Sequence, residues 1–134
     1  LDWHVIIGDE SALPAIGTIL DALPEGVNAH VYSEVIEQAD EQELDSKADL
    51  EFTWIHRGEN TTLPGKLLMD SVCAAQLPRE GQGHIYVACE AGIMRAFRKH
   101  FIEDLGIDKT QITTRGYWKW DASNHPDNDY GIDS

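Results

Sequence analysis

Basic residues, cysteines and long apolar runs are all scarce in this chain of 134 residues. Ten Lys and Arg stand against 24 Asp and Glu, so the formal net charge is -14. A surface this acidic repels the phosphates of nucleic acids and of anionic membranes. No apolar stretch approaches the roughly 20 residues that span a bilayer, and no signal peptide opens the sequence. We therefore expect no nucleic-acid binding, no membrane insertion and a cytoplasmic location.

The two cysteines, Cys73 and Cys89, lie too far apart for a CxxC pair, and two cysteines do not make a disulfide-rich pattern. This usage is typical of a reducing compartment. The six histidines show no HxH, HxxxH or HExxH spacing, so we expect no metal site. The first residue is Leu1 and not Met. We expect a piece of a longer protein that lacks an N-terminal part, the alternative being a processed or tag-cleaved start.

Apolar residues make up 42% of the chain, which is enough for one hydrophobic core. Short segments rich in β-branched and aromatic residues alternate with segments of helical period, a pattern typical of βαβ units and a parallel sheet. The predicted strands are Trp3–Ile7, Val27–Tyr32, Glu51–His56, His84–Ala88 and Gln111–Trp118. The predicted helices are Ser11–Leu23, Gly65–Leu77 and Ala91–Leu105.

This pattern predicts an α/β domain over residues 1–120 with about five parallel strands and helices on both faces. The first and fourth strands are continuously apolar, so they should be central. Ser11 is the expected N-cap of the first helix, and Cys73 is expected in the buried stripe of the second. Residues 121–134 are polar and are expected to form a loosely ordered tail.

Ligands of open α/β sheets bind beyond the carboxyl ends of the strands, so the residues that follow each strand are the candidates. The first strand is followed by Gly8-Asp9-Glu10-Ser11-Ala12, where a helix N-terminus could hold a phosphate or a ribose. Acids at this position also complement the helix dipole, so both interpretations stay open.

The third strand is followed by Arg57, the only Arg among the first 67 residues. A guanidinium at a strand end can bind a phosphomonoester with two parallel hydrogen bonds. The alternative is an exposed loop residue without a ligand.

The fourth strand ends in Cys89-Glu90-Ala91-Gly92, whose small residues would let a flat ring approach or would allow tight packing of strand and helix. Cys89 is more typical of a buried apolar residue than of a nucleophile. After the fifth strand, Tyr117, Trp118 and Lys119 suit either an aromatic, anionic ligand or closure of the sheet edge. A phospho-acceptor receiver domain is a minor alternative, because no acceptor Asp follows the third strand.

Taken together, these four junctions resemble the C-terminal domain of siderophore-interacting proteins, which are flavin-dependent ferric-siderophore reductases related to ferredoxin–NADP reductase. The resemblance extends to about Trp120. The segments that carry it are Gly8-Asp9-Glu10-Ser11-Ala12-Leu13-Pro14-Ala15, Thr53-Trp54-Ile55-His56-Arg57-Gly58, Ala88-Cys89-Glu90-Ala91-Gly92 and Gly116-Tyr117-Trp118-Lys119. The family usually has Thr at position 11, Gly at position 89 and Arg at position 119.

The resemblance implies an NADP-binding domain of the ferredoxin reductase type, in which NAD(P)H passes hydride to FAD and electrons reach a ferric siderophore. An N-terminal β-barrel, absent from this chain, would bind the FAD. Coenzyme contacts are implied for Gly8, Asp9, Glu10, Ser11, Ala12, Arg57, Cys89, Glu90 and Ala91. Among these, Arg57 would hold the 2′-phosphate of NADPH. Substrate contacts are implied for Lys119, Trp118 and Arg115.

Two other classes of function stay open at this point. The chain could be a nucleotide-binding module that pairs with a separate flavoprotein. It could also be an interaction domain whose acidic segment Glu34–Glu51, with eight carboxylates and one Lys, docks a basic protein. A solvated loop and an exposed helix are the plainer interpretation of that segment.

Overall fold

One mixed sheet organises the chain in a computed structural model, which describes residues 2–58, 65–78, 80–119 and 127–128. Its strands are β1 (Trp3–Asp9), β2 (Asn28–Val35), β3 (Asp49–His56), β4 (Gly83–Glu90), β5 (Ile112–Lys119) and β6 (Asp127–Asn128). Their order across the sheet is β3-β2-β1-β4-β5-β6, and only β6 is antiparallel to its neighbour. The predicted five-stranded parallel sheet, with β1 and β4 at its centre, is confirmed.

Three helices cover the two faces of this sheet: α1 (Leu13–Ala22), α2 (Lys66–Ala74) and α3 (Ala91–Lys99). The last continues as a π-helical turn over His100–Asp104. Ile16 and Leu20 of α1 pack with Ile6 and Val31 on one face of the sheet. The other core contains residues of both α2 and α3, so the three-layer α/β/α arrangement is confirmed.

The apolar run in β1 explains why this strand is central. Val5, Ile6 and Ile7 are at most 1% exposed, and their alternating side chains enter opposite cores. A strand flanked by parallel neighbours and covered on both faces has no solvated side, so a continuous apolar run is the pattern that this environment favours.

Two glycines allow the close approach of backbone segments at the carboxyl edge. A methyl group on Gly8 would lie 2.9 Å from the Ala88 carbonyl oxygen and 2.9 Å from Cβ of Ala12. A methyl group on Gly116 would lie 3.1 Å from Cβ of Ala91. Glycine therefore brings the turn after β1 and the start of α3 tightly against the sheet.

Two side-chain expectations were wrong. Ser11 is not the N-cap of the first helix, because the chain first makes a 3-10 turn over Glu10–Ala12. Asp9 caps this turn: its backbone is extended, as at a strand end, and its carboxylate accepts the Ser11 N–H. Cys73 is exposed rather than buried. Leu68 and Val72 form the buried stripe of α2. Cys73 follows Val72 and is rotated by about 100° around the helix axis, so its side chain points away from the core.

The helices are also shorter than predicted at their C-terminal ends. The second ends at Ala74 rather than Leu77, and the third changes from α to π after Lys99. Within segment 121–134, the structure describes only β6, which pairs with the end of β5. Among the described ranges, no helix combines the length and the apolar character needed to cross a membrane.

His4 and His84 are neighbours in register on β1 and β4 and provide a pH test of this sheet. Burial lowers the pKa of both imidazoles from 6.5, and mutual repulsion adds to this for His4. The folded chain therefore binds fewer protons than the unfolded chain just below pH 6.5, so its stability falls as the pH drops through this window.

We expect the urea midpoint to be lower at pH 5 than at pH 8, and expect this difference to shrink in a His4→Gln/His84→Gln variant. The comparison at pH 8, where the imidazoles are neutral, corrects for any packing effect of the substitutions. An unchanged pH dependence in the variant would contradict the assignment.

Candidate functional site

A fully buried carboxylate, that of Asp9, joins three strands at the carboxyl edge. Its Oδ1 accepts the backbone N–H of Ser11 at 3.0 Å and the hydroxyl of the same residue. Its Oδ2 accepts the Glu90 N–H at 3.1 Å and the Trp118 indole N–H at 2.9 Å. Burial raises the pKa of Asp9, and the hydrogen bonds from Ser11 and Trp118 oppose that rise. Asp9 thus ties together the ends of β1, β4 and β5.

A second buried carboxylate, Glu34, lies beside Asp9 in the register of β1 and β2. Its oxygens accept the N–H groups of Gly65 at 2.8 Å and Leu68 at 3.2 Å. These donors belong to the start of α2, where backbone N–H groups have no partners within the helix. Glu34 therefore caps a helix that begins more than thirty residues later in the chain.

Arg57 bridges two carboxylates. Its Nη1 donates to Glu34 at 2.8 Å and its Nη2 donates to Glu10 at 3.0 Å. The Arg57 side chain is 11% exposed, against 0% for Glu34 and 35% for Glu10. Burial lowers the pKa of Arg57, but the two carboxylates outweigh it and raise the pKa, so the guanidinium stays charged. For Glu10, burial raises the pKa against the effect of Arg57.

The junction after β4 is closely packed. Cys89 and Ala91 are fully buried, and Glu90 caps α3 by accepting the Ile93 N–H at 2.9 Å. Burial raises the pKa of the Cys89 thiol well above its usual value, so the neutral thiol dominates. The small residues here therefore serve the packing of α3 on the sheet.

The predicted site residues differ in their access to a ligand. Ser11 is exposed and Glu10 and Arg115 are partly exposed. Among the other residues predicted to contact coenzyme, Arg57 has a side chain that is 11% exposed, and the rest are buried. Trp118 is 9% exposed and donates its indole N–H to Asp9. Lys119 ends β5, but its side chain lies outside the described part of the structure.

Sequence reasoning missed Glu34 and Ser33. Glu34 opens the acidic segment 34–51, which was interpreted as solvated, yet its side chain is fully buried. The signal that could have found it is its place near the end of β2, level with Asp9 in the sheet. Ser33 pairs in register with Gly8 and is also fully buried.

Two buried oxygen atoms at this edge have no hydrogen-bond partner: Oε2 of Glu10 and Oγ of Ser33. Unpaired buried acceptors are rare in folded proteins and call for a partner such as water or a ligand. Within residues 2–58, 65–78, 80–119 and 127–128, no three His, Cys, Asp or Glu side chains are arranged to hold a metal ion.

The fold and this edge define an α/β domain with a candidate ligand site at the carboxyl ends of its strands, and comparison with known proteins assigns its family. The sequence profile described as "Siderophore-interacting protein" matches residues 1–121. The chain therefore belongs to the siderophore-interacting protein family.

Among similar proteins, an uncharacterized protein of Mycobacterium tuberculosis is 33% identical over 128 residues, covering 88% of this chain and 44% of that protein. Ferric vibriobactin reductase ViuB of Vibrio cholerae is 29% identical over 119 residues, covering 88% and 43%. The crystal structure of a siderophore utilization protein from T. fusca matches with a TM-score of 0.76 and 30% identity, covering 92% and 47%. The chain thus spans less than half the length of these curated relatives.

Replacing Asp9 by Asn tests its role at the junction of the three strands. The amide is nearly isosteric with the carboxylate. Both oxygens of Asp9 accept hydrogen bonds, however, so the NH2 group of Asn would face at least one N–H donor and could not accept from it. We expect a loss of about 2 kcal/mol in the free energy of unfolding, measured with urea.

The matched control is Asp21→Asn, which alters an exposed carboxylate of α1 and should change stability by no more than about 0.5 kcal/mol. Equal, small effects of both substitutions would contradict the role given to Asp9.

The two thiols should differ in reactivity because Cys73 is exposed and Cys89 is buried. At pH 8, Ellman's reagent should titrate one thiol in the native chain and two in denaturant. The Cys73→Ala variant should show no fast native reaction. Rapid labelling of Cys89 in that variant would mean that the junction after β4 opens readily.

Proposed function

We propose that this chain is the NAD(P)H-binding half of a flavin-dependent ferric-siderophore reductase. Family membership carries the proposal, and the relative named ferric vibriobactin reductase supports it. These relatives are more than twice as long, which supports a further domain in the full-length protein. In this proposal that domain binds FAD and lies on the N-terminal side. We further propose a cytoplasmic location, which the low cysteine content favours.

The nucleotide would lie at the carboxyl edge described above. There the exposed Ser11 and the partly exposed Glu10 are the groups within reach of a ligand. The carboxylate side chain of Glu10, 35% exposed, fits a ligand that carries hydroxyl donors. When bound, NAD(P)H would supply a hydride, and its two electrons would reach two Fe(III) chelates singly by way of FAD, with NAD(P)+ and a proton as the other products.

The protein's own task in this proposal is orientation rather than covalent chemistry. Cys89 is a buried neutral thiol, and Asp9 and Glu90 accept hydrogen bonds from the framework. None of these groups is placed as a free nucleophile. They keep the turn after β1 and the start of α3 in a fixed relation, which gives a coenzyme a rigid surface to lie on.

Direct binding tests the nucleotide part of the proposal. Titration of the chain with NADH and, separately, with NADPH should give saturable quenching of the fluorescence of its four Trp, checked by calorimetry. The same titration of the full-length flavoprotein shows whether the flavin domain completes the site. Failure of both coenzymes to bind the full-length protein would contradict the proposed function.

The siderophore side is tested at Lys119, which we expect to attract an anionic ferric siderophore at the carboxyl edge. In the full-length protein, Lys119→Ala should weaken siderophore binding by about threefold to tenfold, since one nearby charge contributes about 1 kcal/mol. Lys109→Ala is the matched control, because Lys109 is exposed and precedes β5 at the opposite edge. Equal affinities of the wild type and both variants would remove Lys119 from the substrate site.

A further inference from the structure

The bridge formed by Glu10, Arg57 and Glu34 bears on which coenzyme the site accepts. One terminal guanidinium nitrogen of Arg57 is taken by the fully buried Glu34 and the other by Glu10. To hold a phosphate with the same two nitrogens, Arg57 would have to leave both carboxylates. Glu34 would then be a buried anion without its cationic partner, which is a strongly unfavourable state.

The charge around the bridge disfavours an added phosphate. With its acids ionised, the bridge carries one positive and two negative charges, and Asp9 interacts with Glu10 and Glu34 as a further acid. A 2′-phosphate would bring nearly two more negative charges at neutral pH. The described residues that link β1, β2 and β3 to the next α-helix or strand are 10–12, 36–48 and 57–58. Their basic side chains are Arg57 and the exposed Lys47.

The accessible carboxylate of the bridge favours the opposite kind of group. The Glu10 side chain is 35% exposed, whereas that of Glu34 is 0% exposed, so Glu10 is the acid that a ligand can approach. A ribose with free 2′- and 3′-hydroxyls offers two hydrogen-bond donors to this carboxylate. Phosphorylation of the 2′-oxygen removes one donor and replaces it with an anion, which the carboxylate repels.

We propose that the Glu10–Arg57–Glu34 bridge makes this domain select NADH over NADPH, with Glu10 accepting a hydrogen bond from a ribose hydroxyl. Arg57 is then a positioning residue that holds Glu10, and not the ligand of a 2′-phosphate. This inference rests on the proposed function, because it specifies the coenzyme of the same site.

The test compares ADP-ribose with 2′-phospho-ADP-ribose, two probes that differ only in the phosphate and carry no redox group. Calorimetry on the full-length flavoprotein should give at least about tenfold tighter binding of ADP-ribose, since like charges brought together cost at least that much. In Glu10→Gln, which removes one negative charge and keeps the side-chain length, the ratio should fall to about threefold or less.

Glu37→Gln is the matched control, because it removes the same charge from an exposed side chain in the loop after β2 and should leave the ratio unchanged. Should Glu10→Gln fail to fold, the ratio in the wild type decides. Equal binding of the probes, or tighter binding of 2′-phospho-ADP-ribose, overturns the inference while it supports the proposed function. Binding of neither probe to the full-length flavoprotein overturns both.

Discussion

Buried carboxylates that accept hydrogen bonds from the backbone hold the carboxyl edge of this sheet together. Asp9 and Glu34 are neighbours in register, and each binds N–H groups from an element that the chain reaches much later. Such acceptors compensate the donors that helix starts and strand ends leave unpaired. Two anions side by side are unfavourable when buried, and Arg57 offsets part of this repulsion through Glu34. The shape of the site depends on this arrangement.

The same arrangement limits the chemistry of the edge. Its acids are committed to the framework, its thiol is buried and neutral, and its Arg is held between two carboxylates. Groups of this kind orient a bound molecule and set its preferred charge, while a redox cofactor would supply the reactive bonds. A rigid surface without its own nucleophile is consistent with membership of the siderophore-interacting protein family, in which some proteins are named as reductases.

Much of the fold could be predicted because it depends on local patterns. The apolar runs of β1 and β4, the alternation of strand and helix, and the glycines at the junctions each favour one structure wherever they occur in a parallel sheet. The contacts within the candidate site could not be predicted in the same way. Arg57 was picked out by its rarity, but its partners Glu34 and Glu10 are 23 and 47 residues away, and spacing along the chain does not reveal them.

The sequence by itself determined the class of fold and the strands at its centre, since burial on both faces selects apolar runs. It also identified the residues that follow each strand, which is where ligands of this class of fold bind. Only the tertiary structure decided which polar groups at that edge are available. Asp9, Glu34 and Glu90 are all acids that follow or end strands, yet each is buried and satisfied by backbone donors, whereas the side chain of Glu10 is 35% exposed. The reason is physical: a carboxylate's role depends on the donors within hydrogen-bond distance, and folding brings those donors from distant parts of the chain.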